Sequence, residues 1–254
     1  MSVVKHLHSS SRYDRVPVSI ERAARAYSGS GFDLLTWTEV ERPLRRLALA
    51  RGLGEGWESS HGRGNGNADD CAISWRTSRF RLVHAEQTLA TRLRVRRKGS
   101  SKLRDPLYAS YAVLHDVETG KRLAVAVVHL PSAVERDLAR RRRTARALQW
   151  YAAVRGTKRR LNKLARIYKA HGRLLVADWN VNLKRPWART LVKAIAPRYT
   201  LAWRSFPRGG THGRRLIDAA IYRGAISAWS GLWADDKSSD HRPFTTTLTW
   251  MGVR

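Results

Sequence analysis

Apolar residues fall in short runs divided by polar, glycine-bearing connections, and two periods take turns along the chain. Runs at Cys71–Trp75, Leu107–Leu114, Leu123–Val128, Leu174–Ala177, Leu216–Tyr222 and Phe244–Trp250 are short and rich in branched side chains, which predicts β-strands. The last of them, FTTTLTW, is dense in threonine, a residue that suits a pleated surface. Helical spacing predicts three helices. Ser19–Ser28 opens on a capping serine and aligns Ile20, Ala23, Ala24 and Tyr27. Ala133–Tyr151 turns Val134, Leu138, Ala145 and Leu148 inward and carries a basic outer face at Arg140–Arg143. Thr157–Ala170 places Leu161, Leu164, Ala165 and Tyr168 on one side. The glycine-rich stretch from Gly52 to Asn67 reads as a surface loop. Strands and helices mix throughout without a repeat or a break in composition. The expectation is therefore one α+β domain over residues 1–254, a sheet core covered by helices.

With 43% hydrophobic residues in 254, the chain holds enough apolar material for a sizeable core, which excludes wholesale disorder. No apolar run approaches the roughly 20 residues of a membrane helix. The first residues, Met1 to His6, lack the apolar stretch of a secretory signal. Cys71 is the single cysteine, so an intramolecular disulfide framework and a cysteine-rich zinc site are excluded. These points predict a soluble, cytoplasmic protein without stable membrane insertion.

Charge changes the picture most. Lys and Arg number 49 against 20 Asp and Glu, a formal net charge of +29, and arginine supplies most of the excess. Guanidinium makes planar two-pronged contacts with phosphate that ammonium cannot make. Nucleic acid is the expected partner, DNA ahead of RNA. An arginine-rich solvated surface is the plainer reading. For Arg140–Arg143 in particular, a solvated face and a phosphate contact stand level.

Against that background the few acids are informative. Glu39 follows FDLLTWT, Asp178 follows RLLVA, Asp218 lies inside RLIDAAIY, and Asp240 precedes His241 in SSDHRPF. Each alone reads as a salt bridge to an arginine. Four at the ends of apolar runs, with His129 after LAVAVV and His241 before the final strand, read as a set. Carboxylates bind a hard cation such as Mg²⁺, histidine moves protons, and Asn180 with arginines can hold phosphate oxygens. The loop Trp203–Arg215 (WRSFPRGGTHGRR) is basic and aromatic, and offers Arg208, Arg214 and Arg215 to phosphates. Its plainer reading is a solvent loop with Trp203 packed in the core.

The ordered set TEV (38–40), VVHLPS (127–132), ADWN (177–180), RLID (215–218) and SDHRP (239–243) resembles the endonuclease/exonuclease/phosphatase superfamily, whose type fold is deoxyribonuclease I. The resemblance implies a four-layer α/β/β/α sandwich and divalent-metal-dependent cleavage of a phosphoester, with Mg²⁺ first and Mn²⁺ second. It implies that Glu39 binds metal, that Asp178 and Asn180 orient the attacking water and hold the phosphate, and that Asp218 supports the catalytic histidine. His241 is then the base or the phosphate-binding histidine, and Asp240 a metal or second-layer ligand. His129 matches a histidine carried by nuclease-like members, with Asp69 or Asp70 as its orienting acid. Arg104 is a phosphate-clamp candidate. Departures from the pattern are Thr38 for the usual Gln, Ala177 for the usual Gly, and a first strand, VVKHLHSSS, that lacks the usual Asn and offers His6, His8 or Ser9 instead.

Three functions follow as expectations. The first is a metal-dependent nuclease hydrolysing phosphodiester bonds by in-line attack of water. The second is a phosphatase of the same superfamily acting on small phosphoesters or phosphoinositides. The third is a non-catalytic nucleic-acid-binding module that kept the fold.

Overall fold

The computed structural model describes residues 3–8, 16–40, 43–61, 71–95, 106–232 and 241–251. In chain order its elements are β1 (Val3–His8), α1 (Val16–Ser28), β2 (Leu34–Thr38), α2 (Pro43–Leu53), β3 (Trp57–His61), β4 (Cys71–Arg76), β5 (Phe80–Thr91), β6 (Leu107–Asp116) and β7 (Arg122–His129). There follow α3 (Glu135–Ala139), α4 (Ala145–Ile167), β8 (Gly172–Asp178), α5 (Pro186–Ile195), β9 (Thr200–Leu201), β10 (Asp218–Gly224), β11 (Ile226–Leu232) and β12 (Phe244–Trp250).

Two six-stranded mixed sheets form, in the orders β11-β12-β1-β2-β4-β3 and β5-β6-β7-β8-β10-β9. Strand alternation explains how they stack. In β2, Leu34 joins the core between the sheets, whereas Leu35 and Trp37 face the other way, onto Ala24, Tyr27 and Leu49 of α1 and α2. In β4, Cys71, Ile73 and Trp75 enter the inter-sheet core and Ala72 the helix side. The far face of the second sheet is covered by α4 through Trp150, Val154 and Leu161. Four layers result, α/β/β/α, as the sequence motifs imply. Gly156 lets α4 approach β5, because a Cβ there would run into the Ala90 carbonyl. Among the described residues no helix is long and apolar enough to cross a membrane.

The six predicted strands all form, with ends moved by at most two residues. The helix predicted over Ala133–Tyr151 does not. It breaks into α3 and the start of α4, and α4 then runs straight through the predicted gap before Thr157. Thr144 causes the break. Its hydroxyl accepts the Ala147 N–H (3.3 Å) as an N-cap and donates to Asp137 Oδ2 (2.9 Å), tying the new helix to α3. The phase of the helix therefore resets, and Ala145 and Leu148, expected inside, are exposed. Arg140–Arg143 occupies the turn rather than a helix face, with Arg141 in the left-handed region (φ 53°). Part of the loop expected from Gly52 is also regular: α2 continues to Leu53, and Trp57–His61 pairs with β4 as an edge strand.

Candidate active site

Strand register brings the sequence candidates together. In the second sheet β7 and β8 run parallel with His129 beside Asp178, and β8 and β10 run antiparallel with Asp178 opposite Asp218. Three neighbouring strands thus place His129, Asp178 and Asp218 in a row at one level. His241 arrives from the other sheet, in the segment that leads into β12.

The side chains interlock. His241 Nδ1 lies 2.8 Å from Asp218 Oδ2, and His129 Nε2 lies 3.5 Å from Asp178 Oδ2. One ligand atom from each of Asp178, Asp218 and His241 falls within 4.8 Å of the others. Relative exposures are 1% for each aspartate and 6% for His241, so these polar groups depend on close partners rather than water. Asn180 supplies one set of partners. Its backbone N–H donates to Asp178 Oδ1 (2.9 Å), and its side-chain amide donates to Asp178 Oδ2 (3.0 Å) and to the Leu130 carbonyl (2.8 Å). A left-handed backbone (φ 52°) folds Asn180 back over the strand end, a conformation asparagine tolerates better than most residues.

Several contributors carry no signal that the motifs expose. Thr211 is fully buried, and its hydroxyl accepts the N–H groups of both Ile217 and Asp218 at 3.0 Å. The Thr211 carbonyl also accepts the Arg242 N–H (2.6 Å), so one threonine ties the Asp218 strand to the His241 segment. The His212 ring rests against His241 with centroids 4.8 Å apart, and its buried Nδ1 has no hydrogen-bond partner among the described residues. Glu135 accepts the Asn182 N–H (3.2 Å) and pairs with Arg215. A Thr-His pair inside a glycine-rich basic loop is the only sequence hint of these roles.

The other candidates stand outside the group formed by Asp178, Asp218 and His241 or outside the described residues. Glu39 follows β2 in a left-handed conformation (φ 59°), its carbonyl accepting from Arg45 (2.6 Å), and it is not one of the three groups that meet within 4.8 Å. Asp69, Asp70, Arg104 and Asp240 lie outside the described residues. Arg208 and Arg214 are exposed, whereas Arg215 is held by Glu135. Trp203 packs in the core on Phe244 (5.9 Å), in agreement with the plainer reading of its loop. Lys184 fastens that loop to the Asn180 segment by donating to the Arg208 carbonyl (3.2 Å), and burial pulls its ammonium below the ordinary lysine range.

No family model and no curated protein matches the sequence. Solved structures match along almost its whole length. An endonuclease/exonuclease/phosphatase from Bacteroides vulgatus superposes with a TM-score of 0.72 at 13% identity, covering 98% of both chains. A mannosyl-6-phosphatase from Bacteroides thetaiotaomicron VPI-5482 gives 0.71 at 15% identity, covering 98% of this chain and 100% of the other. D. rerio TDP2, complexed with a single-strand DNA product, gives 0.65 at 12% identity and 98% coverage of both. The row of strand ends that gathers His129, Asp178, Asp218 and His241 is therefore built on the endonuclease/exonuclease/phosphatase fold, of the deoxyribonuclease I type.

Proposed function

We propose that residues 1–254 act as one catalytic domain, a metal-dependent nuclease that hydrolyses phosphodiester bonds of nucleic acid, DNA ahead of RNA. The observation that carries this reading is the convergence of two buried carboxylates at one strand level with a buried imidazole from the other sheet, and Asn180 and His129 beside them. That donor set fits a hard divalent ion, Mg²⁺ first and Mn²⁺ second. Asp178 and Asp218 offer carboxylate oxygens close together, and such ions are held by one or two carboxylates. Glu39 and Asp240 are the further proposed ligands. When bound, the ion draws charge from a phosphoryl oxygen and from the attacking water.

The protein's own groups do the rest. Asp218 Oδ2 accepts a hydrogen bond from the Nδ1–H of His241, fixing the ring so that Nε2 exchanges a proton with water or the phosphate. Asp178 orients the water for in-line attack and is itself held by two hydrogen bonds from Asn180. His129, beside Asp178, donates to the phosphate oxygens as charge builds. Arg208 and Arg214 draw the substrate backbone toward the site, and its electrostatic surroundings favour a polyanion.

The test is digestion of labelled single- and double-stranded DNA and RNA by the wild type and Asp178→Asn, with Mg²⁺, with Mn²⁺ and with chelator. Chelator-sensitive cleavage that falls about 10²–10⁴-fold in the variant, with binding retained, is the expected result. Unchanged cleavage removes Asp178 from the mechanism, and binding without cleavage by the wild type favours a non-catalytic module. A phosphatase acting on small phosphoesters is the second reading, favoured by the likeness to a mannosyl-6-phosphatase. Preferential turnover of sugar phosphates or phosphoinositides over oligonucleotides would establish it.

A further inference from the structure

A cavity of about 690 Å³ opens between α3, the N-terminal half of α4 and α5, away from the row of strand ends. It is lined by Arg141, Arg142, Arg143 and Arg155 together with Leu148, Tyr151 and Trp187, and no carboxylate lines it. None of the four arginines forms an ion pair among the described residues. The turn that presents three of them is fixed: the Arg142 N–H donates to the Asp137 carbonyl (2.8 Å), the Arg141 N–H donates to the Leu138 carbonyl (3.1 Å), and Arg141 is held at positive φ. Three like charges on successive residues of one fixed turn favour an anion laid across them. Tyr151 and Trp187, both half-buried, line the cavity. Leu138 is nine residues beyond His129, and Trp187 is nine beyond Asp178, so the cavity hangs on the two segments that leave the active-site row.

We propose that this cavity is a second binding site for single-stranded nucleic acid, which seats a nucleotide unit remote from the bond that is cut. Arg141, Arg142 and Arg143 contact phosphates, and a base lies against Trp187. The combination of guanidinium groups with aromatic faces suits phosphate and base together. A carboxylate-rich peptide would satisfy the arginines and leave the rings without a planar partner. The ligand class rests on the nucleic-acid reading above, but binding is measured without hydrolysis, so the two fail separately.

The experiment uses the full chain in chelator with a fluorescent single-stranded oligonucleotide of about 15 nucleotides, a length within the range that such grooves cover. Fluorescence anisotropy gives Kd across a salt series for three proteins. These are the wild type, Arg141→Gln/Arg142→Gln/Arg143→Gln, and a charge-matched control, Arg159→Gln/Lys163→Gln/Arg166→Gln, on the exposed side of α4. The cavity variant should bind at least tenfold more weakly, with the slope of log K against log salt reduced by about 2, as loss of three single-strand phosphate contacts requires. The control should change less than threefold. Trp187→Leu should weaken the oligonucleotide at least about fivefold and leave inorganic polyphosphate unaffected. Equal effects in the cavity and control variants, or no oligonucleotide binding by the wild type, would overturn the proposal. So would poly-glutamate that binds more tightly than the oligonucleotide and displaces it, since the site would then belong to an acidic protein. Cleavage failing while cavity-dependent binding persists would overturn the catalytic reading alone.

Discussion

At the scale of single residues, the site depends on side chains that hold others in place. His241 is pinned on one side by Asp218 and on the other by the ring of His212. An aromatic-type ring pair contributes about 0.5–1.5 kcal/mol, which is about 2- to 13-fold if it is felt only in the reacting geometry. His212→Ala should therefore lower kcat by that range with little change in KM or melting temperature, and His212→Phe should restore most of it. An effect on KM or on melting temperature alone would make the contact ordinary packing. That Asp178, Asp218, His129 and His241 stand close together was legible in the sequence, because charge at the end of an apolar run is costly and hence informative. Thr211 and His212 were not, because a hydroxyl and an imidazole in a glycine-rich loop look like any polar connection until the strand behind them is placed.

At the scale of elements, pairings across the sheet and its covering helix set local stability. Glu86 on β5 pairs with Arg160 on α4 and lies 3.2 Å from His84 Nε2. Burial works to raise the Glu86 carboxyl, and its hydrogen bonds to Arg160 and His84 outweigh that and hold it below the ordinary glutamate value of 4.5. The unfolded chain then binds the extra proton first. The stabilisation is present in full above the unfolded value and is lost as pH falls through the lower folded value. The melting temperature of the wild type should exceed that of Glu86→Gln at pH 7, and the gap should shrink below about pH 4.5. A gap independent of pH would assign the difference to shape rather than charge. Six of the twelve described strands were legible because their apolar runs are short and bounded. The α3–α4 break was not, because the spacing of apolar positions continues through it and only the Thr144 cap, a single hydroxyl, resets the helix. Likewise β5, FRLVHAEQTLAT, mixes exposed and half-buried positions and lacks a clear period.

At the scale of the whole molecule, the sequence motifs foresaw two stacked sheets with helices outside, and the alternation within β2 and β4 shows why: each strand feeds two separate cores. What motifs in linear order leave unstated is which sheet each one comes from. Asp218 opens a strand of one sheet, while His241 precedes a strand of the other. The Asp218–His241 hydrogen bond thus spans the two halves of the sandwich like a clasp, and a slight sliding of one over the other would undo it while leaving every helix and strand in place. Mild heating should therefore silence turnover several degrees before the far-ultraviolet circular dichroism changes, reversibly on cooling. Coincident loss of both signals would mean that the halves never part without unravelling.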